Sequence, residues 1–256
     1  MERTSWRRRA RAFVPALLLL FALAGWMLPA APGPAAEADA VLEAGEGEPC
    51  PTVPAGQKLI ALTFDDGPRR STTTALLDGL AQRGVHATFF LIGAQVEGNE
   101  DIVRRMEKEG HQIGIHTYDH VKLTGLSRAD FDAQVGRTRD LLAGILGRRD
   151  FLLRPPYGMT DASVKAWAES PIIIWSIDPE DWRDQNAPRE VAEVTAQARD
   201  GAIVLMHDIF PASVDAALQI VDQLHAQGYL FVTVEELFAA RHIQLEAGKS
   251  YSNACP

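Results

Sequence analysis

Seven short runs rich in β-branched and aromatic residues alternate with segments of helical spacing between Lys58 and Val234, and no other feature restricts the possible folds as much. The runs are Lys58 to Phe64, Ala87 to Ile92, Gln112 to His116, Phe151 to Arg154, Ile172 to Ile177, Ala202 to Met206 and Tyr229 to Val234. Between them lie helix candidates at Thr73 to Arg83, Ile102 to Glu109, Arg128 to Leu146, Ala162 to Ala168, Arg189 to Arg199 and Val214 to Ala226. Several stop at a glycine, Gly84, Gly110, Gly201 or Gly228, as a left-handed C-cap requires. Strands separated by helices predict right-handed crossovers and a parallel sheet, either open or closed as a barrel. In such folds the strand ends open on one face, so residues distant in sequence converge there.

The flanks read differently. Arg7, Arg8, Arg9 and Arg11 precede an apolar stretch from Phe13 to Leu28 and then Ala-Pro-rich sequence, so residues 1–36 are expected to be a signal peptide or N-terminal membrane anchor. Residues 37–56 hold few large apolar side chains and read as a flexible linker, leaving 57–256 as the folded domain. Export implies an oxidising compartment for the two cysteines, Cys50 and Cys255. They are either a disulfide tying the two ends of the domain, worth roughly 4 to 5 kcal/mol in the chain-entropy model, or two free thiols. The formal charge is −9 although the first 36 residues are basic, so the body of the chain is strongly acidic. That argues against nucleic acid as a partner and for a neutral or cationic one. A monomer is expected.

The chemically loaded residues follow strands. Thr63-Phe64-Asp65-Asp66-Gly67-Pro68 delivers two adjacent carboxylates into a turn, and such a pair resists joint ionisation unless a cation or hydrogen bonds compensate it. His116 and His120 stand four residues apart, so on a helical turn both would project from one face at metal-ligand spacing. One carboxylate and two histidines leave coordination positions open, as in a catalytic site. Zinc suits nitrogen and oxygen donors, with cobalt, nickel or manganese as alternatives. Arg154-Pro155-Pro156-Tyr157-Gly158 is a stiff loop whose arginine can grip a carboxylate and whose Tyr157 N–H can meet an oxyanion. Trp175 to Trp182 sets acids beside indoles, and Ile203 to Asp208 ends an apolar strand in His207, a candidate general acid.

Taken together, TFDDGP, HTYDH, RPPYG, DPEDW and LMHD, in that order and covering about 58–237, resemble the polysaccharide deacetylases, the NodB-homology group of carbohydrate esterases. The resemblance implies a distorted, TIM-barrel-like (β/α)7 barrel and metal-dependent removal of N-linked acetyl groups from an amino-sugar glycan, peptidoglycan N-acetylglucosamine or a chitin-like oligosaccharide. It further implies Asp66, His116 and His120 as ligands of one divalent metal, Asp65 as base and His207 as acid. Arg154 would orient Asp65, Asp181 would keep His207 charged, and Leu205 and Trp182 would line an acetyl-methyl pocket with Tyr157 nearby. Val121 and Lys122 follow His120 where family members often carry proline, which leaves the glycan open. A small-molecule amidohydrolase and a silent glycan-binding protein are the competing readings.

Overall fold

The computed structural model describes residues 56–254. The leader, the linker up to residue 55 and both cysteines of the proposed disulfide lie outside the described residues. The strands are β1 (Lys58–Asp65), β2 (Thr88–Leu91), β3 (Gln112–Ile115), β4 (Leu152–Leu153), β5 (Ile172–Ile173), β6 (Ala202–His207), β7 (Tyr229–Phe231) and β8 (Ser250–Tyr251). The helices are α1 (Arg70–Arg83), α2 (Gly93–Val96), α3 (Glu100–Lys108), α4 (Arg128–Phe131), α5 (Arg137–Leu146), α6 (Ala162–Trp167), α7 (Asp181–Asp184), α8 (Ala187–Gln197), α9 (Pro211–Ala226) and α10 (Val234–Ala240).

All named strand pairs are parallel, in the order β6-β1-β2-β3-β4-β5-β8, with β7 also pairing the start of β1. The two ends of this path meet: Ile177 bridges Val204 in parallel and Asn253 bridges Ala202 in the antiparallel sense. The sheet therefore closes on itself, and the choice between open sheet and barrel falls to the barrel. Its distortion sits at β5, where the expected run Ile172 to Ile177 is regular only over Ile172–Ile173, breaks, and rejoins β6 at Ile177.

Period-2 alternation sorts each strand between two cores. From β1, Ile60, Leu62 and Phe64 pack outward with Leu76, Leu77 and Leu80 of α1, while Leu59 and Ala61 face inward with Phe90, Leu152, Ile173 and Ile203. Continuing the inward series past Ala61 gives Thr63 and then Asp65, so the barrel interior changes from apolar to polar toward the strand ends. The other end is plugged by α10, whose Val234, Leu237 and Phe238 join the inner core. A capping box between Thr233 and Glu236 starts that helix, which is why the expected strand to Val234 stops at Phe231.

The expected helix from Arg128 to Leu146 is α4 and α5 joined through a π-helical turn at Asp132–Gly136. Four short elements were not expected from the pattern: α2, α7, α10 and β8.

Candidate active site

β1 and β6 are the adjacent strands that build the centre. Their register pairs Thr63 with Leu205 and Asp65 with His207, so the two titratable side chains point to one side at one level. Asp65 is almost fully buried and His207 is partly exposed at the mouth.

Arg154 follows β4 and is wholly buried. Its Nη1 donates to Asp65 Oδ1 at 2.8 Å and to Thr63 Oγ1 at 2.7 Å. Its Nε and Nη2 donate to the carbonyls of Ile173 and Ile174 at 3.2 and 3.3 Å. The guanidinium lies 4.1 Å from the centroid of the Phe90 ring, and that ring has room because residue 114 on β3 is glycine, where a Cβ would strike it. A buried arginine satisfied in this way holds one carboxylate oxygen of Asp65 and leaves the other, Oδ2, facing the centre.

Asp66 takes positive φ (74°), which turns its side chain away from the strand series. Behind it, Asp208 accepts a hydrogen bond from the Thr73 hydroxyl and packs against Gly67, where any Cβ would collide with both Asp208 carboxyl oxygens. Burial pushes the Asp208 carboxyl up to about 7, against the Thr73 hydrogen bond that favours its charged form.

His116 and His120 do converge on Asp66, but not through a helical turn. The segment after β3 is irregular, and positive φ at Thr117 (65°) and His120 (55°) folds the second imidazole back toward the first. The rings lie 5.1 Å apart, with Nε2 of His116 3.5 Å and Nε2 of His120 3.4 Å from Asp66 Oδ1. His116 Nδ1 is 2.7 Å from the Arg154 carbonyl, so Nδ1 carries the proton and the Nε2 lone pair faces Asp66. Burial pushes this imidazole below its ordinary value, against the charges of Asp65 and Asp66, and keeps it neutral.

Asp66 Oδ1 is buried without a hydrogen-bond partner. Three ligand atoms from Asp66, His116 and His120 lie within 4.8 Å of one another, and among the described residues this is the one such cluster. An orphaned carboxylate oxygen facing an imidazole lone pair and a second imidazole nitrogen fits a cation, and the donor set suits a divalent metal.

Across the mouth, His207 Nδ1 lies 2.7 Å from Asp181 Oδ1, and the His207 backbone N–H donates to Asp181 Oδ2 at 2.8 Å. Asp181, fully buried, opens α7. Burial alone would lower the His207 pKa, but the hydrogen bond and charge of Asp181, with Asp65 and Asp66 beyond, raise it to about 9. A dication bound at Asp66 would withdraw part of that last contribution.

A cavity of about 430 Å³ joins these groups, lined also by Tyr157, Trp175, Asp178, Trp182 and Leu205. Tyr157 and Trp182 are 63% and 53% exposed, an apolar rim to the mouth, whereas Leu205 is buried in its floor. Tyr157 has φ 61°, and its N–H donates to no acceptor among the described residues.

All ten site residues expected from the sequence thus fall in or directly behind one cleft. Thr63 and Phe90, which hold Arg154, carried no assigned role, and Asp208, expected only to structure its own loop, packs behind the Asp66 turn. For Thr63 the signal was readable, since alternation places it on the Asp65 face.

The family model described as polysaccharide deacetylase matches residues 52–170. The chain is 43% identical over 186 residues to the peptidoglycan-N-acetylmuramic acid deacetylase PdaC of Bacillus subtilis, covering 73% of this chain and 40% of that protein's length. It is 37% identical over 198 residues to a peptidoglycan-N-acetylglucosamine deacetylase of Bacillus cereus, covering 74% of this chain and 92% of that one. A solved structure of Bacillus subtilis PdaC superposes with a TM-score of 0.71 at 42% identity, covering 73% of this chain and 93% of that one. The chain belongs to the polysaccharide deacetylase family.

Proposed function

We propose that this chain is an exported, metal-dependent hydrolase that removes N-acetyl groups from amino sugars of peptidoglycan, releasing acetate. The observation that supports the reading is the register of Asp65 against His207, by which a gripped carboxylate and a histidine held by a buried aspartate stand side by side in the cavity that Asp66, His116 and His120 also line. Hydrolysis of an acetamide needs a base on one side of the carbonyl carbon and an acid at the nitrogen.

A divalent cation, zinc on the chemistry of the donors, would be held by Asp66, His116 and His120. When bound it supplies polarisation of the acetamide carbonyl and of the attacking water. Asp65 Oδ2, free of Arg154, takes the water proton as the oxygen bonds to the acyl carbon. The Tyr157 N–H meets the oxygen on which negative charge develops. His207 Nε2, opposite the nitrogen held by Asp181, then protonates the departing amine as the C–N bond breaks, leaving acetate and a free amino sugar. Leu205 and Trp182 enclose the acetyl methyl. Both Bacillus relatives are named as peptidoglycan deacetylases, which favours peptidoglycan over chitin. The acetate assay uses peptidoglycan oligomers, chitin oligomers and small acetamides, with chelation and metal return. Release from a glycan that chelator abolishes and metal restores is expected; turnover by fully metal-free protein, or of small acetamides alone, overturns the reading.

A further inference from the structure

The metal cluster has a second side. A separate cavity of about 280 Å³ shares Asp66 and His120 with the aromatic cleft and is completed by Arg69, Ile92, Gln95 and Ile209. The two sides differ in charge. The aromatic cleft has the carboxylates of Asp65, Asp66 and Asp178 and neither lysine nor arginine among its lining residues. The second cavity has Arg69. That side chain is exposed, makes no ion pair among the described residues, and is steadied by one bond, Nη1 to the Ile209 carbonyl at 3.0 Å. Its backbone N–H is fixed too, donating to Thr73 Oγ1 at 2.7 Å, the same hydroxyl that bonds Asp208 behind the Asp66 turn. Arg70, by contrast, is spent on Asp101. A dication held there would compensate Asp66, the one carboxylate lining this cavity, and this side would then carry net positive charge in a chain whose formal charge is −9.

We propose that Arg69 is a specificity residue that binds a carboxylate of the substrate, placing an acidic amino-sugar glycan across the metal with its acetamide toward Trp182 and Leu205. The inference rests on the deacetylase reading for its orientation, but not for the binding itself. A guanidinium whose Nε and Nη2 meet no acceptor among the described residues is built to receive a planar oxyanion through two parallel hydrogen bonds. In peptidoglycan that carboxylate has two sources: the lactyl ether of a muramic residue, or the end of a peptide stem.

The test compares unmodified protein, Arg69→Ala and Arg69→Lys on three defined tetrasaccharides: chitotetraose, the N-acetylglucosaminyl-N-acetylmuramyl repeat with free lactyl groups, and the same repeat carrying peptide stems. The readout is the ratio of kcat/KM for each carboxylated glycan to that for chitotetraose. Losing a charge-assisted pair is expected to lower the ratio about tenfold in Arg69→Ala, through KM, with partial recovery in Arg69→Lys. A fall confined to the free lactyl glycan identifies the lactyl group, and one confined to the peptide glycan identifies the stem. Unchanged ratios overturn the proposal. Calorimetric binding of the same glycans to Asp65→Asn protein, with and without Arg69→Ala, gives the same ratio without turnover. Absence of acetate release would thus defeat the deacetylase reading while the calorimetric ratio still decides Arg69.

Discussion

At the residue scale the centre is a set of carboxylates whose different partners give them different work. Asp65 is gripped at one oxygen by a buried arginine, Asp66 is left with a bare oxygen, and Asp181 is spent on His207. The proposed acid, His207, must be protonated to act, so activity is expected to fall as pH rises through its pKa. Asp181→Asn keeps an acceptor but removes the charge that raises that pKa. The alkaline limb of kcat/KM is therefore expected to move to lower pH, as a pH-rate profile checks; an unmoved limb would show that another group sets it. Gly67→Ala is expected to be among the most damaging small substitutions, because the new methyl meets the buried Asp208 carboxyl and displaces the turn carrying Asp66. Lost metal affinity by titration, beside a lowered melting temperature, is the outcome to look for. The TFDDGP and HTYDH strings made most of these residues legible as a set. The φ of His120 was not, since nothing in a non-glycine residue announces a left-handed backbone.

At the scale of elements, Arg154 is the joint between strands, bonding Thr63 and Asp65 of β1 and the carbonyls at the end of β5. Arg154→Met keeps bulk but strands the Asp65 carboxylate in a dry site, and a loss of about 3–5 kcal/mol in urea unfolding is expected. α8 holds a further buried acid. Glu190 is fully buried in its first turn with neither carboxyl oxygen hydrogen-bonded, and burial, aided by the charge of Asp181, pushes it up to about 7. Its folded pKa lies above the unfolded value, so its contribution is full below about 4.5 and is lost as pH rises toward 7. Glu190→Gln should flatten that fall in melting temperature between those values, and a profile as steep as the parent's would exclude Glu190 as its source. Helix α10 was missed although Thr233 and Glu236 spell a capping box; β8, two residues long, offers no periodicity to read.

At the scale of the whole molecule, the closed barrel positions the ligand atoms, and binding should feed back on it. Anything that binds the folded chain alone stabilises it by mass action, about 4 kcal/mol at a thousandfold excess over Kd. Zinc is therefore expected to raise the melting temperature of stripped protein, and His120→Ala to abolish most of that rise; an equal rise in the variant would place the metal elsewhere. The sequence by itself determined the alternation of strands and helices, the inward series Leu59, Ala61, Thr63, Asp65, and the residue types available for chemistry, because these follow from local periodicity and side-chain identity. Tertiary structure alone decided that the sheet closes through Ile177 and Asn253, that Asp65 meets His207 across 142 positions of chain, and that Arg69 lines a cavity with Asp66 and His120. Those are matters of register and closure, set by how distant strands pack against one another, and no local pattern encodes them.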